Sequence, residues 1–120
     1  MTSKPINQGE IYWLDLGDDN TFGAERPHPY LVIQDDVINH SRVATVVVCA
    51  LSTNMKKVGL PGNVLLDVGE ADLPKQSIVV VSQVLSVEKT ALGAYIGSLS
   101  RERVEQILAG LKFLEKMGKR

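Results

Sequence analysis

The feature that most restricts the fold of this chain is an uninterrupted apolar and largely β-branched run at residues 44–51. Such a run is typical of a central strand that is buried on both faces of a sheet. It ends in the polar sequence Ser-Thr-Asn-Met-Lys-Lys at residues 52–57. This polar segment is either a solvated turn or a set of hydroxyl and ammonium groups held at the end of a rigid strand, where small enzymes carry functional side chains.

Further apolar runs, bounded by Gly, Pro, Asn and Asp, predict a sheet. Including the first run, the predicted strands cover five to seven residues within 9–16 and residues 30–34, 44–51, 63–67, 77–85 and 94–99, with residues 86–92 as a brief extended or helical connector. The last segment, residues 101–117, repeats apolar residues at three- and four-residue spacing, which predicts an amphipathic helix that begins after Ser100 and ends at Gly118. Strands first and one helix last predict a mainly β fold, a small bent or closed sheet covered by a helix.

Composition agrees with a single globular domain over residues 1–120. Of the 120 residues, 44% are hydrophobic and 22% are charged, and a chain of this length buries roughly two thirds of its unfolded surface. The formal net charge is -1, so no global basic field attracts nucleic acid and any such contact has to be local. No apolar run approaches the ~20 residues of a membrane-spanning helix.

The N-terminus and the single cysteine each permit one prediction. After the lysine of Met-Thr-Ser-Lys-Pro no apolar segment of the signal-peptide kind follows, so we expect a cytoplasmic protein. Cys49 is the only cysteine and lies inside the apolar run. It is predicted to be a small core residue rather than a nucleophile, and no disulfide can form within one chain.

A doubly prolyl segment in the loop before the second strand is the first candidate for a functional site. Pro27 and Pro29 fix their own φ angles and hold Arg26 and His28 in extended geometry, so a cation and an imidazole lie on a stiff segment. Under the alternative interpretation the prolines only start an edge strand, and Glu25 and Arg26 are solvated. We expect the site in this loop.

Sequence patterns of the common metal and cofactor sites are absent. His28 and His40 have no Cys, His or Glu partner at the intervals of a zinc site. The sequence has no glycine-rich phosphate loop and no Gly-x-Ser-x-Gly motif. We therefore expect no metal and no cofactor.

Short motifs occur in a fixed order along residues 8–115. They are Gly-Glu-Ile-Tyr-Trp-Leu-Asp-Leu at 9–16, Gly-Ala-Glu at 23–25, Leu-Val-Ile-Gln-Asp-Asp at 31–36, Thr-Val-Val-Val at 45–48, Leu-Ser-Thr at 51–53, Leu-Pro-Lys-Gln-Ser at 73–77, Ser-Gln-Val at 82–84, Val-Glu-Lys at 87–89 and Ile-Gly-Ser-Leu-Ser at 96–100. In this order and spacing they resemble the MazF/PemK family of toxin endoribonucleases.

The resemblance implies a fold, an activity and partners. The fold is an SH3-like barrel of the CcdB/MazF/PemK type with a C-terminal helix, and the protein is a toxin of a type II toxin–antitoxin system. The implied activity is metal-independent cleavage of single-stranded RNA, mRNA included, that leaves a cyclic 2′,3′-phosphate and a 5′-hydroxyl. The implied partners are a cognate antitoxin and a second copy of the chain, and Phe22 and Leu60 are expected to be exposed apolar residues of that homodimer.

The resemblance also implies catalytic residues. Members of the family carry an Arg immediately before the Pro that opens the second strand, and a Thr or Ser after the third strand. Aligned without a gap, the arginine position falls on His28 and the hydroxyl position on Ser52, with Thr53 beside it. Alternatively Arg26 and its following proline are the family pair, displaced by two residues, with Glu25 before them. We adopt the gapless register and keep all five residues in the catalytic set.

Predicted substrate contacts are Gln83, Lys56 and Lys75. Leu85 departs from the family, because relatives commonly carry Arg or Lys at that position, which removes a phosphate contact. The alternative function is a non-catalytic RNA-binding or gyrase-directed module on the same fold. The chain ends in Met-Gly-Lys-Arg at residues 117–120 rather than in an aromatic-rich tail, which argues against a gyrase target.

Overall fold

The computed structural model describes residues 4–16 and 27–118, and these residues form six strands and two α-helices. The strands are β1 (Glu10–Leu14), β2 (His28–Val32), β3 (Thr45–Ser52), β4 (Val64–Leu65), β5 (Ile78–Glu88) and β6 (Leu92–Ser98). The helices are α1 (Asp36–Asn39) and α2 (Arg101–Met117), and 3₁₀ turns cover Met55–Lys57, Glu70–Asp72 and Lys89–Ala91. Neither α-helix of these ranges combines the length and apolar character needed to cross a bilayer.

The six strands form one antiparallel sheet in the order β4-β5-β3-β2-β1-β6. β3 lies in the interior of this order, between β2 and β5, and most of its residues are buried. The prediction that this run is a central strand is therefore confirmed. The predicted mainly β fold with a helix at the end of the chain is confirmed as well.

The two faces of the sheet carry different cores. The face covered by α2 packs the larger set of buried side chains, which includes Ile11, Leu31, Cys49, Leu51, Val79, Val104 and Ile107. The opposite face has a smaller buried set, namely Leu14, Tyr30, Val32, Val46, Val48 and Ala50. Half-buried Tyr12, Leu85 and Val87 pack at the margin of the smaller set. Among the described residues, the second face therefore has the smaller core.

β5 bends sharply in its middle. Cys49 pairs with Val84 and Leu51 pairs with Val79, so residues 80–83 of β5 face a single residue of β3. The first half of β5 also pairs with β4, and the second half runs beside β3 as far as Glu88. The predicted connector at residues 86–92, extended or helical, is extended as far as Glu88, where β5 ends, and then forms the 3₁₀ turn Lys89–Ala91.

α2 agrees with its prediction at both ends. The hydroxyl oxygen of Ser100 accepts a hydrogen bond from the Arg103 backbone N–H at 3.2 Å, and Gly118 follows the last helical residue. Val104 and Ile107 are buried against the sheet. The helix therefore has one apolar face, as its periodicity predicted.

Two other predictions need correction. β2 begins at His28 and ends at Val32 rather than spanning residues 30–34. The short helix α1, which follows it, was not predicted; the Asp35 carboxylate caps it by accepting from the Val37 backbone N–H at 2.8 Å. Pairing with β1 sets the start of β2, and the Asp35 cap sets the start of α1. Neither feature can be recognised from the periodicity of apolar residues.

Candidate active site

A cleft of about 330 Å³ opens at the start of β2 and the end of β3. β2 contributes His28, Pro29 and Tyr30, and β3 contributes Ala50, Leu51 and Ser52. The segment after β3 adds Thr53, Asn54 and Lys57. Ser77, just before β5, and Gln83, within β5, complete the lining. The lining is therefore polar at its open end and apolar toward the core.

The pairing of β2 with β3 directs His28 and Ser52 to one cleft. Tyr30 pairs with Ala50 and Leu31 with Cys49 in an antiparallel ladder. The ladder ends at Tyr30 and Ala50, and the chain segments that continue beyond it carry His28 and Ser52, which both line the cleft. His28 itself belongs to β2, where it pairs with Leu14 of β1. The prediction that His28 and Pro29 lie in the loop is therefore wrong, since both are strand residues.

His28 has an unusual hydrogen-bonding state. Its Nε2 atom is buried, and no hydrogen-bond partner for it exists in the part of the chain that the structure describes. An unpaired buried polar atom costs roughly 1–3 kcal/mol relative to a paired one. Because such atoms are rare in folded proteins, this nitrogen is a candidate for bonding to a substrate.

A tight turn after β3 arranges the polar residues of the cleft. Ser52 Oγ accepts a hydrogen bond from the Asn54 backbone N–H at 3.1 Å, and the Asn54 side chain accepts from the Lys56 backbone N–H at 3.0 Å. Asn54 thereby caps the 3₁₀ turn Met55–Lys57. Side chains three residues apart lie on the same side of a 3₁₀ turn, so Asn54 and Lys57 both line the cleft. Lys56 is exposed and lies outside the cleft lining.

The bend in β5 carries Gln83 into the cleft. Gln83 lies in the stretch of β5 that has left the ladder with β3, and its half-buried side chain lines the cleft. In a regular strand, a residue at this position would pair with a residue of the neighbouring strand β3. The bend is therefore what makes an amide available near His28 and Ser52.

Burial keeps two weak acids of this region protonated. Burial, with a smaller contribution from Cys49, raises the pKa of Tyr30 to about 12, so the Tyr30 hydroxyl stays neutral. Burial likewise raises the pKa of Cys49 to about 12, and its thiol lies 3.1 Å from the Val80 carbonyl oxygen, to which it donates. The prediction that Cys49 is a core residue is confirmed, because none of its surface is exposed.

The structure brings together four of the predicted site residues and separates others. His28, Ser52, Thr53 and Gln83 line one cleft, whereas Lys56 and Lys75 are exposed and do not line it. Lys57, which was not predicted, is the one cation of that lining among the described residues. The sequence indication for Lys57 was a helix-capping residue, Asn54, followed within three residues by two lysines. Glu25, Arg26 and Phe22 lie outside the described residues.

The chemistry of this lining is that of proton transfer and hydrogen bonding. It offers an imidazole, the hydroxyls of Ser52, Thr53, Ser77 and Tyr30, two side-chain amides and an ammonium group. Within the described ranges, no group of three or more His, Cys, Asp and Glu residues is arranged to hold a metal ion. An anionic substrate would therefore meet N–H and O–H donors and one positive charge.

Comparison with known proteins identifies the family. The profile of the family described as "PemK-like, MazF-like toxin of type II toxin-antitoxin system" matches residues 7–114. The chain belongs to this family. The endoribonuclease MazF2 of Mycobacterium bovis is 35% identical over 107 residues, covering 89% of this chain and 94% of the relative. The endoribonuclease EndoA of Bacillus subtilis is 27% identical over 104 residues, covering 85% of this chain and 87% of the relative.

The fold of this MazF/PemK toxin is also that of solved members of the family. An endoribonuclease from a mycobacterial species, solved in complex with its cognate antitoxin, matches with a TM-score of 0.76 at 21% identity, covering 96% of this chain and 99% of that chain. At this identity the match speaks for the fold alone. The predicted barrel-type fold with a C-terminal helix is thereby confirmed.

Proposed function

We propose that this toxin is a metal-independent endoribonuclease that cleaves single-stranded RNA, mRNA included, in the cleft between β2 and β3. One observation carries the proposal: the cleft collects a histidine, the hydroxyls of Ser52 and Thr53, a lysine and a glutamine from four separate segments of the chain. The relatives MazF2 and EndoA are named endoribonucleases. A chain that shares their family and presents proton-transfer and anion-binding groups in one cleft suits the same class of activity.

The proposed reaction is an internal transfer at phosphorus. The ribose 2′-oxygen attacks the adjacent phosphorus, the P–O2′ bond forms, and the P–O5′ bond breaks. One group takes the 2′-hydroxyl proton, and another gives a proton to the departing 5′ oxygen. Hydrogen-bond donors or a cation stabilise the charge on the phosphorane. The products are a 2′,3′-cyclic phosphate and a 5′-hydroxyl. Neither water nor a metal ion is consumed in this step.

The residues of the cleft divide these roles. His28 is the proton-transferring group, since imidazoles exchange protons near neutral pH and its Nε2 is unpaired among the described residues. Ser52 and Thr53 donate hydrogen bonds to the phosphorane. The Ser52 oxygen accepts a hydrogen bond from the Asn54 backbone N–H, which leaves the hydroxyl hydrogen of Ser52 to be donated to the substrate. Lys57 supplies a positive charge beside them.

The remaining predicted residues keep more distant roles in the proposal. Arg26 and Glu25 stay in the catalytic set, with Arg26 as the second cation and Glu25 as the second proton-transferring group beside His28. Gln83 contacts the RNA inside the cleft, whereas Lys56 and Lys75 contact its backbone outside the cleft, where both side chains are exposed.

The proposed partners follow from the family. A cognate antitoxin binds this toxin, as it does in the solved mycobacterial complex. The chain works as a homodimer in the cytoplasm. The supporting feature for the homodimer is the set of exposed apolar side chains of Leu60, Val84 and Tyr95, which are 51%, 42% and 51% exposed.

The activity is tested with purified toxin and a long single-stranded RNA in the presence of EDTA. We expect cleavage in EDTA, with fragments that end in a 2′,3′-cyclic phosphate. A mock purification from cells that do not express the toxin reports contaminating nuclease. Strict dependence on added Mg²⁺ would overturn the mechanism. RNA binding without any cleavage would assign the chain to the non-catalytic alternative.

The homodimer is tested separately by sedimentation at micromolar concentration. We expect a species of twice the chain mass of 13.1 kDa. A monomer at that concentration would overturn this part of the proposal and leave the cleavage chemistry untouched.

A further inference from the structure

We propose that Asn63 is a positioning residue for the RNA phosphate, acting through Lys57 and the bend of β5. Asn63 does not line the cleft. Its side-chain amide instead joins the two segments that carry the Lys57 ammonium and the Gln83 amide. This inference rests on the proposed function, because it assumes that RNA occupies the cleft.

Two hydrogen bonds carry the inference. Asn63 donates from Nδ2 to the Lys57 backbone carbonyl at 3.0 Å, and its Oδ1 accepts from the Val81 backbone N–H at 3.0 Å. A primary amide is the side-chain group that both donates and accepts at adjacent atoms, so it satisfies both backbone groups at once. Neither Asp nor Leu in the same space does so.

The bond to Val81 replaces a missing strand partner. Val81 lies among residues 80–83, where β5 has left its ladder with β3. Buried backbone N–H groups require a partner, and Val81 is 2% exposed. Asn63 supplies that partner, which stabilises the bend two residues before Gln83.

The bond to Lys57 fixes the other side of the cleft. The segment between β3 and β4 carries Asn54 and Lys57 and has few buried residues of its own. Gly62, with a φ of 83°, contacts α2 at Gly110, which holds the end of this segment against the helix. Asn63 adds the link from that fixed end back to the Lys57 turn. The Lys57 and Gln83 side chains are thereby held in a set relation across the cleft.

The inference predicts coupling between Asn63 and the Lys57 side chain. The Asn63→Asp substitution preserves an acceptor for Val81 but turns a carboxylate oxygen toward the Lys57 carbonyl, which releases the turn. We expect kcat/KM to fall roughly tenfold, within the range of coupling between residues of one network. In Lys57→Ala protein the backbone carbonyl remains but the ammonium is gone. Asn63→Asp should then cost roughly twofold or less, since there is no cation left to misplace.

The experiment is a double-mutant cycle with a matched control. The four proteins are the parent, Asn63→Asp, Lys57→Ala and the double variant, each tested for kcat/KM on single-stranded RNA. Gln76→Glu is the control, because Gln76 donates to the Leu66 carbonyl at 3.1 Å, carries the same change from amide to carboxylate, and does not line the cleft. Its effect should be the same with and without Lys57. Thermal unfolding checks that each variant is folded, and Asn63→Ser replaces Asn63→Asp if the latter is not.

Each outcome has a separate meaning. Equal losses from Asn63→Asp in both backgrounds would overturn the positioning role and leave the endoribonuclease proposal intact. A parent that does not cleave RNA would overturn the proposed activity. In that case the same cycle is measured on RNA-binding affinity, where coupling supports the positioning role and additivity, or no binding by the parent, overturns it.

Discussion

Gly110 of α2 packs directly on Gly62, so closely that a Cβ atom on Gly110 would collide with the Gly62 carbonyl oxygen. We expect Gly110→Ala to destabilise the protein by about 1–3 kcal/mol, because the helix has to move away from a rigid backbone. The gain in helix propensity, up to about 1 kcal/mol, offsets only part of this loss. Chemical denaturation measures the difference in the free energy of unfolding.

Gly59 provides the matched control for that substitution. It has no atom within 4 Å of a Cβ built on it and its φ is outside the left-handed range. Gly59→Ala should leave stability unchanged or raise it by up to about 1 kcal/mol. Equal stability of the two alanine variants would contradict the close contact between the helix and the Gly62 turn.

Glu70 and Arg103 form a two-point ion pair that should make stability depend on pH. Arg103 donates from Nε to Glu70 Oε2 at 2.8 Å, and from a second nitrogen to Oε1 at 3.1 Å. These hydrogen bonds hold the pKa of Glu70 below its ordinary value, against the opposing effect of burial. A lowered folded-state pKa stabilises the protein above the unfolded pKa of about 4.3, and this stabilisation is lost as pH falls through the folded pKa.

The measurement is the free energy of unfolding between neutral and acidic pH for the parent and Glu70→Gln. We expect Glu70→Gln to lose about 1–2 kcal/mol at neutral pH and to approach the parent in acid. Glu105→Gln is the control, since the ion pair of Glu105 with Arg101 has side chains that are 65% and 70% exposed. A loss in Glu70→Gln that persists undiminished in acid would show that packing, not ionisation, accounts for it.

His28 distinguishes the two family registers. If His28 transfers a proton in the transition state, His28→Ala should lower the cleavage rate by roughly 10² to 10⁴. Removal of Arg26 should cost a comparable amount, and Ser52→Ala should cost less, because Ser52 is one donor among several.

The control for this test is His40→Ala, which removes an exposed histidine that contacts Asn7 rather than the cleft. It should cleave RNA at the parental rate. Parental cleavage by His28→Ala together with an inactive Arg26→Ala would assign the family pair to Arg26 and its proline. If neither change lowers the rate of an active enzyme, the site lies elsewhere.

Lys57 and Lys56 are sequence neighbours with different surroundings, so they test the cleft itself. Lys57→Ala removes the ammonium group that lines the cleft and should lower kcat/KM roughly tenfold or more. Lys56→Ala removes one solvent-screened contact to the RNA backbone outside the cleft and should therefore lower kcat/KM by a smaller factor, roughly two. The reverse order would show that RNA follows the outer surface rather than the cleft.

Much of the fold could be predicted from local patterns. The apolar run that became β3 and the periodic helix that became α2 were found at nearly their observed bounds, because burial on both faces and a single apolar stripe leave direct traces in the sequence. The start of β2 was missed by two residues. Prolines normally indicate a loop, and only pairing with β1 and its buried Leu14 extends the strand back to His28.

The sequence by itself therefore determined the family, the order of strands and helix, and the pair His28 and Ser52 as candidates, since each of these is recorded in local composition or spacing. Only the tertiary structure decided that Lys57 rather than Lys56 lines the cleft, because a 3₁₀ turn sets the direction of each side chain. It also decided how Gln83 reaches the same cleft. Gln83 lies where β5 leaves its pairing with β3, and the Asn63 side chain binds the Val81 backbone in the same stretch; such contacts between separate segments leave no pattern in either one.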